Sequence, residues 1–70
     1  MKEIDLHGVK HQNVTSIIID ACAKYKVPFV VITGKSAQMI KLVDFAVSKF
    51  GFTTECCLNN PGRVIVDESR

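Results

Sequence analysis

The chain reads as an α/β domain with the element order β-α-β-α-β-β, and three observations carry that reading. Apolar residues alternate at the start of the chain and again near its end. An unbroken β-branched run lies between them, and two stripes of helical period separate the three segments. Seventy residues suffice for one domain and not for two. With 47% apolar residues the chain is too hydrophobic for a disordered tail. A chain of this length buries only about 60% of the surface it exposes when unfolded, so modest stability is expected.

Each element follows from local pattern. Lys2-Glu3-Ile4-Asp5-Leu6 alternates, with Ile4 and Leu6 on one face, and His7-Gly8 breaks it as a strand end does. From about His11 to Lys26 the period becomes helical, with Val14, Ile17, Ile18, Ala21, Cys22 and Tyr25 on one stripe. Ile19 fits that stripe less well, and Pro28 stops the helix at or before Val27. Phe29-Val30-Val31-Ile32-Thr33 has the continuous apolar character of a strand covered on both faces. Gly34 closes it. A second helix is expected from about Ser36 to Lys49, with Met39, Leu42, Val43, Ala46 and Phe50 turned to the core and Gly51 as its stop. Phe52 to Leu58 alternates as a third strand. Asn59-Asn60-Pro61-Gly62 is a turn, and Arg63 to Asp67 returns as a fourth, antiparallel strand. The result is a two-layer sandwich, a four-stranded mixed sheet with two helices, formed by residues 1–70 as a single domain.

Other classes are excluded by what the chain lacks. No apolar run approaches the roughly 18 residues of a membrane span, and Met1-Lys2-Glu3 is not expected to open a signal peptide. The thiols of Cys22, Cys56 and Cys57 are odd in number, and the adjacent pair should point to opposite faces of a strand. No disulfide framework is expected, which favours a reducing, cytoplasmic setting. The cysteines also lack C-x-x-C spacing and read as packing residues.

A net charge of +2 is too small to argue nucleic-acid binding from totals. Position changes its meaning. Helical crossovers return the chain in the same direction, so the first three strands should run mainly parallel. Ligands of open sheets gather outside the carboxyl ends of parallel strands. Those ends here are His7-Gly8-Val9-Lys10-His11, Thr33-Gly34-Lys35-Ser36 and Asn59-Asn60-Pro61-Gly62-Arg63. Both helices begin at the same edge, where unpaired N–H groups and positive dipole ends suit phosphate. Lys10, Lys35, Arg63, His7 and His11 would form a basic rim there, with Asp5 its only nearby acid.

Two segments carry candidate chemistry. In a strand Asp5 and His7 would share one face of the pleat, and an Asp beside a His sets its tautomer and raises its pKa. His7 would then serve as general acid or base, or as a phosphate-binding cation. The plainer reading is an exposed Asp and a strand-end His satisfied by backbone groups. Thr33-Gly34-Lys35-Ser36 joins strand to helix as a phosphate-binding loop would, but Phe29 stands where a full P-loop needs glycine. What remains is close backbone approach at Gly34, a cation at Lys35, and Ser36 as helix N-cap. His7 and His11 are four apart across a turn, a poor zinc pair. There is no carboxylate cluster for two metal ions; Asp5 alone is a poor magnesium site, though a Mg²⁺ bridged by substrate phosphate remains compatible with the residues.

These residues resemble the small MutS-related (Smr) domain family. Asp5-Leu6-His7-Gly8 is similar to the family's first motif, usually Leu-Asp-x-His-Gly. Thr33-Gly34-Lys35-Ser36 resembles the second, His/Thr-Gly-x-Gly, and the late Asn-Pro-Gly turn before Arg63-Val64-Ile65-Val66 resembles the closing hairpin. Spacing and element order agree along essentially the whole chain. The resemblance implies a sandwich like that of the C-terminal domain of translation initiation factor 3. It also implies nucleic-acid binding, with endonuclease activity on DNA or RNA in several members. Asp5 and His7 take the positions of the acid/His pair, and Thr33, Gly34 and Lys35 those of the second loop. Four departures stand out. Ile4 replaces the leading Leu, Ser36 the second Gly, and Lys10 a Ser/Thr helix cap, and the closing turn is short of glycine.

Three functions are therefore expected to compete. In the first, an Smr-like endonuclease nicks DNA or cleaves RNA, with Asp5 orienting a catalytic His7. Gly8, Gly34, Lys35 and Ser36 then hold phosphate, while Lys10, His11 and Arg63 steer the strand. In the second the same rim docks on RNA, DNA or the ribosome without cleavage. The third is a protein-interaction module in which Ile19, Ile40 or Val47 supports self-association.

Overall fold

The computed structural model describes residues 1–56 and 62–68. Its elements are β1 (Glu3–Asp5), α1 (His11–Lys24), β2 (Phe29–Ile32), α2 (Ala37–Ser48), β3 (Phe52–Cys56) and β4 (Arg63–Glu68). The four strands form one sheet in the order β1-β2-β4-β3. β1 pairs parallel with β2, and β4 runs antiparallel to both β2 and β3. β1, β2 and β3 therefore share one direction, as the crossovers require, and their carboxyl ends lie at one edge. The expected extension of β3 to Leu58, Cys57, and the turn residues Asn59, Asn60 and Pro61 lie outside the described residues.

Register fixes which side chains meet the helices. Val31 pairs with Ile4 and with Val64, and Phe29 with Val66. Phe29, Val31, Val64 and Val66 are fully buried together with Val14 and Ile18 of α1 and Val43, Ala46 and Val47 of α2. Alternation then turns Glu3, Asp5, Val30, Ile32, Arg63, Ile65, Asp67, Thr53 and Glu55 to the other side of the sheet. The domain has two layers, with the helices on one face of the sheet and, among the described residues, no element on the other.

The α1 stripe is as expected, with Val14, Ile18, Ala21 and Cys22 buried and Ile17, Ile19 and Tyr25 packed at its edge. Burial pushes the Cys22 thiol pKa up, so this cysteine packs and stays protonated. Cys56, by contrast, is exposed. In α2 the buried row is Met39, Val43, Ala46 and Val47, with Leu42 partly covered. Val47, offered above as an interaction residue, is in the core, and Ile19 and Ile40 are packed against it. Val47 is therefore no surface residue, while Ile19 and Ile40 stay partly exposed. Phe50 corrects the core list: α2 ends at Ser48, the helical period stops there, and Phe50 is 41% exposed with its ring stacked on Phe52.

Ser36 caps α2, its Oγ accepting the Met39 N–H at 3.1 Å. Ser36→Ala should lower stability by about 1 kcal/mol, read as a lower urea midpoint at unchanged slope. Among the described residues no helix is long and apolar enough to cross a membrane.

Candidate phosphate-binding rim

The first loop is built by a turn. Leu6 extends the ladder beyond β1 by donating its N–H to the Ile32 carbonyl at 3.0 Å, and its side chain is buried in the core. The Val9 N–H then returns to the Leu6 carbonyl at 3.0 Å, closing a β-turn with His7 and Gly8 at its centre. Gly8 has φ +75°, the sign a type II turn needs at this position and one costly for other residues. Asp5 Oδ1 accepts the His7 backbone N–H at 2.8 Å.

This arrangement differs from the shared pleat expected for Asp5 and His7. β1 ends at Asp5, so His7 sits on the turn and not in the strand. The Asp5 carboxylate braces that turn through the backbone, and its other oxygen stays on the open face of the sheet. His7 is exposed. The plainer of the two readings of this pair therefore describes the Asp5 contact.

The second loop is clamped to the start of β4. The Gly62 carbonyl accepts the N–H groups of Thr33 and Gly34 at 2.9 and 3.0 Å. Thr33 Oγ1 donates to the Gly34 carbonyl at 2.9 Å. Gly34 has φ +66°, a left-handed conformation that lets the chain turn from β2 towards α2. Lys35 then projects exposed beside the α2 N-terminus.

A cleft of about 200 Å³ separates the two loops. Leu6, Val9 and Met39 form its apolar walls, and His7, Ile32, Thr33 and the glycines Gly8 and Gly34 complete its lining. The walls are the part of the site that motif reading missed. Val9, an apolar residue held between Gly8 and the charged Lys10, was the one visible signal.

Lys10 and His11 lie at the start of α1, exposed. Lys10 is the N-cap residue and supplies no side-chain acceptor. Neither helix carries an acidic residue in its first turn. Both positive dipole ends thus face the loops without a local carboxylate. Among the described residues Lys10 and Lys35 form no ion pair.

Arg63 is a correction to the rim as the sequence drew it. Alternation along β4 buries Val64 and turns Arg63 to the open face, where its Nη1 donates to Glu3 Oε2 at 2.7 Å. The rim cations are therefore Lys10 and Lys35, with His7 and His11 exposed in the first of the two loops. Acids of the strands collect on the other side of the sheet. Glu3, Asp5, Glu55 and Asp67 all occupy the open face, and Arg63 is the one cation there among the paired residues. A nearly neutral chain is thus divided, basic where the helices start and acidic on the bare side of its sheet. Among the described residues no group of three or more His, Cys, Asp or Glu is placed to hold a metal ion.

Compared with models of protein families, with curated proteins and with solved structures, the chain matches none of them.

Proposed function

We propose that the domain is an Smr-like nucleic-acid-binding module whose ligand's phosphates lie along Lys10, His11, Lys35 and the starts of both helices. One observation carries the reading: two loops distant in sequence present cations and acid-free helix N-termini at the same edge, on either side of one cleft. The resemblance of Asp5-Leu6-His7-Gly8 and Thr33-Gly34-Lys35-Ser36 to the two Smr motifs supports it, since both segments lie at that edge. The acidic open face argues for the helix side as the path of the backbone, because like charge repels phosphate from the sheet side. In this reading the module works in the cytoplasm, where Cys22 and Cys56 remain reduced.

The test is binding of labelled DNA and RNA at rising ionic strength. Phosphate contacts release counterions, so log K should fall with log salt by about 0.7 per contact on a single strand. Binding that is absent at low salt, or insensitive to salt, would remove the proposal.

A second reading, endonuclease activity on DNA or RNA, is favoured by the position of His7 on the turn, exposed and beside the cleft. His7 would act as the general acid or base at the scissile phosphodiester. Asp5 would act through the backbone, holding the turn that presents His7. A Mg²⁺ shared between the free Asp5 oxygen and a substrate phosphate belongs to this reading alone. His7→Ala should lower any cleavage by purified protein at least about a hundredfold while binding persists, the scale of a lost general acid or base. Cleavage unchanged in that variant assigns the activity elsewhere.

A further inference from the structure

We infer that the cleft between the loops receives one unpaired nucleobase, so that the module selects single-stranded over duplex nucleic acid; this rests on the phosphate-binding reading of the rim.

Phosphate explains the cations but not the walls. A charged oxyanion gains nothing from Leu6, Val9 and Met39 and loses solvation among them. A ligand matched to both must carry a flat apolar group and an anion on one chain, which is the chemistry of a nucleotide strand. Size agrees. An apolar cavity of about 150 Å³ already admits benzene. The roughly 200 Å³ here takes a single ring system, and lies below the ~300 Å³ at which pockets for larger small molecules begin.

The polar lining suits a base edge. Thr33 Oγ1 gives its hydrogen to the Gly34 carbonyl and accepts no hydrogen bond among the described residues, leaving an acceptor for a base amino group. His7 at the turn offers a ring that can stack or hydrogen-bond. Lys10 follows Val9, and Lys35 follows Gly34, so each wall of the cleft runs directly into a cation. A base lowered between the walls would leave its flanking phosphates beside these lysines. Bases inside a duplex are stacked and paired and cannot make that entry without being flipped out.

The experiment compares affinities of the full chain, by fluorescence anisotropy at low salt, for probes of equal length. They are a mixed-sequence single strand in DNA and RNA versions, a duplex, and a DNA strand with tetrahydrofuran abasic units. The single strands should bind about tenfold tighter than the abasic strand, equal to roughly 1.4 kcal/mol, and tighter than the duplex. Val9→Phe and Val9→Trp, which narrow the cleft by increasing amounts, should reduce the single strand to the abasic level. Circular dichroism identifies which variant is folded and can be scored. Equal, salt-sensitive binding of single strand, abasic strand and duplex overturns the base cleft and leaves the phosphate rim standing. A base preference that survives in a folded variant places the base elsewhere and also overturns it. No binding by any probe removes the rim and the cleft together.

Discussion

Exchanging Lys10 and Lys35 together for glutamine should weaken nucleic-acid binding by roughly a hundredfold near 50 mM salt. Each phosphate contact on a single strand contributes about 0.7 to the salt slope, which at this concentration is close to one decade of affinity. The slope itself should become shallower by about 1.4. The paired control is Lys24→Gln with Lys49→Gln, which removes the same charge from the opposite ends of the two helices. Lys24 is bound to Asp20 at 3.1 Å, and Lys49 lies over the Phe45 ring at 4.7 Å. If both double variants lose affinity equally, binding follows net charge and the rim has no special part in it. If only the first pair matters, the phosphates lie where the helices begin.

The second large effect is on the fold. Phe29→Ala should leave the chain largely unfolded at room temperature. Phe29 is fully buried in the sheet, between the helices and the strand partner Val66. Removing such a ring costs about 3–5 kcal/mol from lost transfer energy and the cavity left behind. A core of this size rarely supplies more than about 3–5 kcal/mol in total. The cost is thus comparable with the whole stability. Far-ultraviolet circular dichroism and a urea titration should show loss of the cooperative transition. A cooperative transition with a midpoint near the parent's would mean that the register pairing Phe29 with Val66 does not describe the core. The same change should abolish binding, because β2 leads directly into Thr33 and Gly34 at the cleft.

The frame of the molecule was legible because it depends on period and order. The β-branched run at Phe29–Ile32, the stripe from Val14 to Cys22, and the Ser36 cap are local signals, and each names its own structure. Shared direction of three strands then follows from crossovers, which is why the loop edge could be drawn before any contact was known. Four features were not legible, each for a physical reason. The length of β1 decided whether His7 belonged to the strand, and a strand of three residues followed by a glycine turn removes the alternation that would align it with Asp5. Arg63 begins a strand, so its side chain obeys the pleat and reaches Glu3 across β2 instead of following the loop. Val47 and Phe50 exchanged roles because the helix stops between them, and an apolar residue beyond a helix end has no stripe to join. The lining of the cleft, finally, comes from two loops, the end of β2 and α2, and no single stretch of sequence holds it together.

The division of charge also explains how a net charge of +2 can suit a polyanion. Glu3, Asp5, Glu55 and Asp67 neutralise the total from the bare side of the sheet, at a distance from the starts of the helices. Solution conditions that screen charge should therefore act on binding far more than on folding, since the core is apolar and the ion pairs at Asp20 and Glu3 are exposed.

The most direct measurement is a titration of isotope-labelled protein with a single-stranded oligonucleotide, followed by amide chemical shifts. The account predicts that the shifts concentrate on His7 to His11 and Thr33 to Ala37, with Thr53, Glu55, Ile65 and Asp67 unmoved. Shifts centred on the open face of the sheet, or around Phe45 and Phe50, would contradict it.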